Sequence, residues 1–328
     1  MRRLFVIGTS AGGVHALKTV VAALPADFPS AVMVVLHVGA HPSILPEILN
    51  HAGPLPASHA THDQPIQPGH VHVAPPDQHL LVVGGKIRLT RGPKEHHARP
   101  AVDPLFLSAA LAQGPNVVGI VLTGMLDDGT AGLQAIKRCG GLAVVQDPAE
   151  AQYPSMPRSA LRHVDIDHCV TLGNLPELMV SLASLPRPAD VFRPVENLQH
   201  ELLLTLRTGH AMEHLKAIGS PSTFVCPECH GDLWEVNGAS PPRFRCHTGH
   251  AFSLRSLVHN LSLGADDAAW NALRALQEKS MALHRLAQAC LDAGEVSEAA
   301  QLKSAAMEAE QQVKSLRDMQ EKTSPPVE

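Results

Sequence analysis

A serine between glycines, a histidine and a pair of aspartates each follow a short aliphatic run in this chain. These are the residue types that hydrolyse esters. Ser10 lies in Gly8-Thr9-Ser10-Ala11-Gly12-Gly13, directly after Phe5-Val6-Ile7. Gly8, Ser10 and Gly12 fit G-x-S-x-G, a sharp strand-to-helix turn that stands the serine hydroxyl at the carboxyl end of a sheet. The N–H groups that open the following helix point to the same place and can meet an anion or oxyanion. The competing reading is a glycine-rich turn in which Ser10 caps the helix. His37 follows Ala31–Leu36, and Asp127-Asp128 follow Val117–Leu122 within Thr123-Gly124-Met125-Leu126-Asp127-Asp128-Gly129. A serine hydroxyl becomes a nucleophile when a base takes its proton, and imidazole titrates near neutrality. A carboxylate holds the imidazole in one tautomer and stabilises its cation. Either aspartate of the pair can take that part, leaving the other as turn residue or helix cap. The glycines do not fit G-x-G-x-x-G and no Gly-Lys-Ser/Thr follows, which argues against dinucleotide and P-loop binding.

A second cluster carries metal-binding chemistry. Cys226-x-x-Cys229, a spacer of sixteen residues, then Cys246 with His250 after Gly249 has the spacing of a zinc ribbon. Thiolates and imidazole suit tetrahedral zinc. His250 stands where a second knuckle places its last ligand, with His247 and His230 as alternatives. A redox Cys-x-x-Cys is the rival, but no thioredoxin-like βαβ pattern surrounds it.

The elements that must position these residues alternate. Leu4–Ile7, Ala31–Leu36, Val117–Leu122 and Leu142–Val145 read as strands buried on both faces. Val14–Leu24, Ser43–His51, Pro104–Gln113 and Thr130–Arg138 read as the intervening helices. This is the rhythm of an α/β, doubly wound, mostly parallel sheet, whose ligand sites lie at the strands' carboxyl ends. Val71–Ala74, Leu80–Val83 and Lys86–Thr90 read as a β-hairpin insertion, with Gly84-Gly85 as the turn. Leu185–Pro194, with three prolines, is a linker. Val195–Leu206 carries a helical stripe. Asp266–Leu291, with Asp266-Asp267 at its start, and Val296–Gln320 predict a helical hairpin. Its stripe through Trp270, Leu273, Leu276, Leu283 and Leu286 is core, or else a partner or dimer surface. The expected division is 1–184, a linker with helix at 185–221, a zinc ribbon at 222–253 and the hairpin tail at 254–328.

Composition narrows the class. Hydrophobic residues make up 45% of the 328, enough for a core, while aromatics at 3% leave few platforms for nucleic-acid bases. A formal charge of −5 gives no general attraction to nucleic acid or anionic membranes. No apolar run approaches the roughly 18 residues of a membrane span. Six cysteines without a disulfide-dense pattern suit a reducing cytoplasm. With 21 histidines in the chain, most are solvated surface groups, as His41, His51, His59 and His62 look to be. His37 differs because an aliphatic run delivers it to the active edge.

Six motifs occur in a fixed order: Gly8–Gly13, Leu36-His37, Ala74-Pro75-Pro76-Asp77-Gln78-His79, Arg99-Pro100-Ala101-Val102-Asp103, Thr123–Gly129 and Met156-Pro157-Arg158. Over about residues 3–184 they resemble the catalytic domain of the chemotaxis protein-glutamate methylesterase (CheB) family. The resemblance implies a Ser10, His37, Asp128 triad and an oxyanion donor in the backbone N–H of Met125. It also puts Arg99 and Arg158 along the cleft, with a surface or structural role as the alternative for each, and implies no cofactor for catalysis. The implied substrates are γ-glutamyl methyl esters on the helical bundles of chemoreceptors, with deamidation of receptor glutamine by the same acyl-enzyme logic. Thr9 and Ala11 depart from the family's usual Gly-Ala-Ser-Thr-Gly-Gly, and Leu126 replaces a frequent glycine. Two-domain members carry an N-terminal receiver domain. Here the first strand begins at Leu4, so the expectation is a cytoplasmic form without a receiver, whose tail makes the regulatory or partner contacts. Two rivals stand beside it: an esterase fold kept as a scaffold with the tail as working module, and an unrelated hydrolase of small esters.

Overall fold

The computed structural model describes residues 3–186 and 195–323. Pro188 and Pro194 of the expected linker lie outside the described residues. In chain order the elements are β1 (Leu4–Thr9), α1 (Gly13–Ala23), β2 (Ala31–Leu36), α2 (Leu45–Ala52), β3 (Ala57–His59), β4 (Val71–Val73), β5 (His79–Val83) and β6 (Lys86–Thr90). Then come α3 (Val102–Gln113), β7 (Val117–Val121), α4 (Thr130–Arg138), β8 (Leu142–Gln146), α5 (Ser155–His163), β9 (His168–Val170) and α6 (Leu175–Ser184). Seven strands form one sheet in the order β3-β4-β2-β1-β7-β8-β9, with every pairing parallel. The winding reverses between β1 and β7, which places a switch point where Ser10 leaves β1.

Alternation along the strands decides which helices cover which face. Phe5, Ile7, Val32, Val34 and Ile120 pack with α1, α2 and α6 through Leu17, Leu49 and Met179. Leu4, Val6, Met33, Val121 and Val145 pack on the other face with α3, α4 and α5 through Phe106, Ile136 and Met156. Both faces are covered, so the strands can be continuous aliphatic runs. The hairpin β5–β6 forms as expected, with Gly84 and Gly85 at φ of 58° and 77°. Val71–Ala74 does not belong to it. Val71–Val73 is β4, inserted in the main sheet between β2 and β3. Its nearness in sequence to the hairpin concealed that pairing.

The chain falls into two compact units, Met1–Leu257 and Val258–Glu328. The first also holds α7 (Glu196–Leu206), α8 (Ala211–Ile218) and a four-stranded antiparallel sheet: β10 (Gly219–Val225), β11 (Asp232–Val236), β12 (Arg243–Cys246) and β13 (Ala251–Ser253). One face of that small sheet packs Leu233, Phe244, Phe252 and Leu257 with the Cys226 and Cys246 thiols, while Trp234 packs against Leu204, Leu215 and Ile218 of α7 and α8. Two long helices follow, α9 (Leu254–Asp292) and α10 (Val296–Thr323). Asp266-Asp267 therefore lie inside α9 rather than at its start. Ser253 Oγ accepts the Ser256 N–H and caps α9 at its start. In the second unit, Glu310 accepts bonds from Ser280 and His284, and Leu273, Ala287, Ala306 and Val313 are buried. Trp270 and Leu286 are exposed, at 64% and 52%. Gly294, at φ 84°, ends α9, with Glu295 N–H bonded to Cys290 O and Gly294 N–H to Leu291 O, a Schellman stop.

Candidate active site

Register brings the three chemical residues together. Thr9 lies beside Leu36 and Gly8 beside Val121, so the residues after β1, β2 and β7 emerge at one level. Ser10 N–H bonds to Thr123 O at 3.1 Å and His37 N–H to Thr9 O at 3.4 Å, which ties the three exits to each other. Gly12 has φ 77° and is the residue before α1, a conformation that suits glycine. Gly8 serves another purpose, since a Cβ there would lie 2.2 Å from the Val102 side chain. Ser10 does not cap α1 through its side chain. Its Oγ lies 3.1 Å from His37 Nδ1, and His37 Nε2 lies 2.8 Å from Asp128 Oδ2. The carboxylate can only accept, so the ring proton sits on Nε2 and Nδ1 faces the hydroxyl as a base. The side chain of His37 is 19% exposed and that of Asp128 2%.

The structure separates the two aspartates. Asp128 Oδ2 also accepts the Val102 N–H at 2.7 Å, and Oδ1 accepts those of Asp103 and Gly129 at 2.9 and 2.8 Å. Val102 and Asp103 open α3, so Asp128 caps that helix from another loop and sits at the positive end of its dipole. Asp103 returns the arrangement: its Oδ1 accepts the N–H groups of Gly129 and Gly132 at the start of α4. Asp127 instead accepts from Ser253 Oγ at 2.7 Å. Leu126 holds the left-handed conformation, φ 60°, that the family's frequent glycine would adopt freely. For leucine that conformation costs about 1–2 kcal/mol. The N–H of Gly124 is engaged by Tyr153 O, whereas that of Met125 has no partner among the described residues. The Met125 side chain is exposed.

Behind Asp128 is a buried histidine that the sequence reading passed over. His96 Nε2 lies 2.9 Å from Asp103 Oδ2 and 3.8 Å from Asp128 Oδ1, and Nδ1 lies 3.2 Å from Ser256 Oγ. Ser256 Oγ donates to the Ser253 carbonyl, so toward His96 it accepts. Both ring nitrogens therefore donate, and the ring is an imidazolium. Burial alone would lower the His96 pKa, but Asp128, Asp103 and Asp127 together push it up to about 10. Burial would likewise raise the Asp128 carboxyl. The His96 charge, the His37 bond and the Val102 N–H outweigh it and hold Asp128 well below the usual carboxylate range. A raised histidine pKa stabilises the fold fully below the ordinary value of 6.5, and that contribution is lost as pH rises toward about 10. Denaturation of wild type should therefore show a midpoint that falls across that window more steeply than in His96→Gln. Equal slopes would contradict a charged His96.

The motif arginines differ. Arg99 Nε and Nη2 donate to Asp77 Oδ1 at 2.9 and 2.6 Å, and Nη1 donates to Gly92 O. Two of the six motifs are thus joined to each other. Arg158 is exposed on α5, whose Met156 packs against Gly124. His79, from the same motif as Asp77, is buried between Pro93 O and the Ala101 N–H.

The cysteines converge at a second place. One ligand atom each from Cys226, Cys229, Cys246 and His250 lie within 4.8 Å of one another. The Cys229–Cys246 sulfurs are 3.6 Å apart, and His250 Nδ1 is 3.5 Å from Cys246 Sγ and 3.7 Å from Cys226 Sγ. A tetrahedral zinc with bonds of about 2.0–2.3 Å sets its ligand atoms about 3.5–3.8 Å apart, so the donor set and its spacing fit that ion. His247 and His230 are exposed and stand outside the cluster.

A doubly wound parallel sheet with serine, histidine and aspartate hydrogen-bonded in sequence at its strand ends defines a class, the α/β proteins built like serine hydrolases. Comparison narrows that class. Residues 5–179 match the family model described as CheB methylesterase. A Leptospira interrogans protein named "Putative protein-glutamate methylesterase/protein-glutamine glutaminase" is 38% identical over 183 residues, spanning 54% of this chain and 93% of the relative. Protein-glutamate methylesterase/protein-glutamine glutaminase 1 of Xanthomonas euvesicatoria pv. vesicatoria is 36% identical over 189 residues, and the match spans 56% of this chain but 53% of that one. The crystal structure of the Thermotoga maritima CheB methylesterase catalytic domain superposes with a TM-score of 0.53 at 30% identity, covering 56% of this chain and 99% of that one. The chain belongs to the CheB methylesterase family. No helix among the described residues is long and apolar enough to cross a membrane.

Proposed function

We propose that this protein is a serine hydrolase that removes methyl esters from glutamate side chains of chemoreceptor helical bundles and releases methanol. The observation that carries this is the hydrogen-bonded line from Ser10 through His37 to Asp128. Ser10 Oγ attacks the ester carbonyl while His37 Nδ1 takes its proton, and Asp128 steadies the imidazolium. The oxyanion formed meets the N–H of Met125. Collapse expels methanol with the proton from His37. Water, deprotonated by the same nitrogen, then frees the glutamate carboxylate from Ser10. A glutamine amide attacked in the same way leaves as ammonia, which would make the enzyme a receptor deamidase too.

Arg158 faces the substrate in this reading, while Arg99 shapes the cleft wall through Asp77 and Gly92. Cys226, Cys229, Cys246 and His250 hold a structural zinc ion within a ribbon at 222–253, and α9 with α10 forms the helical hairpin of the tail. None of the six cysteines is paired in a disulfide, which suits a cytoplasmic enzyme. The test is methanol release from methylated receptor membranes. Wild type should release it and Ser10→Ala should not. Absence of release by wild type, with hydrolysis of small methyl esters retained, would replace the receptor by a small-ester substrate. Absence of both would leave a scaffold.

A further inference from the structure

The four-ligand cluster and the Ser10–His37–Asp128 line are joined by a short stretch of chain. β13 begins directly after His250. The Ala251 carbonyl accepts the His96 N–H at 2.8 Å, and the Ala251 N–H reaches Lys94 O at 3.4 Å. Two residues on, Ser253 Oγ donates to Asp127 Oδ1. Ser256, in the first turn of α9, accepts from His96, which donates in turn to Asp103 beside Asp128. Asp127, Asp128, Asp103 and His96 are each at most 9% exposed, so no water layer separates these groups. Residues 251–256 lie outside the 5–179 match to the family. The brace therefore comes from residues beyond the matched core.

We propose that zinc at Cys226, Cys229, Cys246 and His250 acts as a strut for the triad acid: by fixing β13 it holds Ser253 and Ser256 against the Asp127-Asp128 loop and His96, so metal occupancy sets the turnover rate without the ion touching substrate. The inference rests on the esterase reading for its rate effect and on the zinc reading for its cause. Physics supplies the direction. The cysteine-bearing face of this sheet buries only four apolar side chains besides its thiols, too few to order the knuckles and β13 on their own, and ribbons of this size fold on their metal. Losing the metal releases β13 and with it the bonds to residues 94–96 and Asp127. The large sheet keeps its own core. A displacement of about 1 Å in a catalytic group costs on the order of 10²-fold in rate. Ser253 and Ser256 are thus positioning residues.

The experiment uses the full chain with zinc measured by elemental analysis. Wild type should carry one zinc per chain. Stripping it with a chelator should lower kcat tenfold or more, leave KM within about twofold, and speed amide hydrogen exchange in residues 94–103 and 126–129. Added zinc should reverse all three. Ser253→Ala should keep its zinc yet lose kcat, and Ser253→Thr, which restores the hydroxyl, should recover it. Protein purified without metal that takes up none would overturn the site. Stripped protein with unchanged kcat and unchanged exchange at 94–103 would overturn the coupling, as would a zinc-loaded Ser253→Ala with wild-type turnover. If wild type hydrolyses no ester, the functional reading has failed. Exchange at 94–103 and 126–129 then still decides the strut: faster exchange on stripping supports it and unchanged exchange overturns it.

Discussion

Ser10→Ala and His37→Ala are each expected to abolish measurable esterase activity, a loss on the order of 10⁴-fold or more, and the double variant is expected to be no slower than either. The reason lies in the geometry. Ser10 Oγ has its base at 3.1 Å and that base has its orienting carboxylate at 2.8 Å. Removing one member leaves the others without a proton path, so a second removal has nothing further to take. Asp128→Asn should cost about 10⁴-fold, because an amide nitrogen presented to His37 favours the wrong tautomer. It should also lower stability. Asp128 accepts four donors, and an amide whose nitrogen faces His37 takes the place of the oxygen that accepts the Val102 N–H, leaving that donor unpaired. Asp127→Asn keeps an oxygen for Ser253 and should lose less than tenfold. Initial rates on methylated receptor, with urea midpoints for each variant, check the set. A double variant markedly slower than both singles, or Asp127→Asn as damaged as Asp128→Asn, would show that these residues do not act as one line.

The parts of this protein that were legible in its sequence share one property: their signal is local. β1, β2, β7 and β8 are continuous aliphatic runs because both faces of the sheet are covered; Ser10 and His37 follow two of them directly, and the Asp127-Asp128 pair lies in the loop that follows β7. The cysteine spacing likewise encodes two knuckles within 25 residues. What was illegible depends on distant partners. β3 and β9 are three residues each, with Ser58 and His168 in them, and they read as strands only because β4 and β8 pair with them. β4 was assigned to the neighbouring hairpin because register with β2 leaves no trace in its three residues. The sequence alone could not choose between Asp127 and Asp128, since both suit a turn. The choice is made by α3, whose first N–H groups come from residues about 25 positions earlier. His96 stood unremarked among many histidines. Its partners Ser256 and Asp128 lie far along the chain, and serines at 253 and 256 carry no pattern of their own. The start of α9 was misplaced for a related reason. Its first turns carry Ser256, Asn260 and Gly264, so the stripe becomes regular only near Trp270.

The second large effect is expected at Arg245. Its guanidinium and the Glu95 carboxylate are each 2% exposed and meet at 3.0 and 3.1 Å, the former on β12 and the latter in the loop before α3. Thr205 Oγ1 from α7 donates to the same carboxylate, and Arg245 Nε stands 3.6 Å from Glu201, which Arg243 engages at 2.7 and 2.9 Å. Arg245→Ala leaves the Glu95 carboxylate buried with a single neutral donor. Breaking a buried pair from one side costs about 3–5 kcal/mol, mostly as the penalty on the abandoned charge. For a unit of this size that corresponds to a fall in Tm on the order of 10 °C. Arg245→Ala combined with Glu95→Gln should recover much of the loss, because the charge goes and the amide can still accept from Thr205. The Coulombic gain of such a pair is largely offset by its desolvation, so the recovery, more than the loss, identifies the stranded charge as the cause. Thermal unfolding of the full chain, with Trp270→Phe in every variant so that Trp234 fluorescence reports the first unit, distinguishes the outcomes. A single variant within 1 °C of wild type, or a double variant no more stable than the single, would mean that Glu95 finds water once Arg245 is gone, and that the interior around it is not dry.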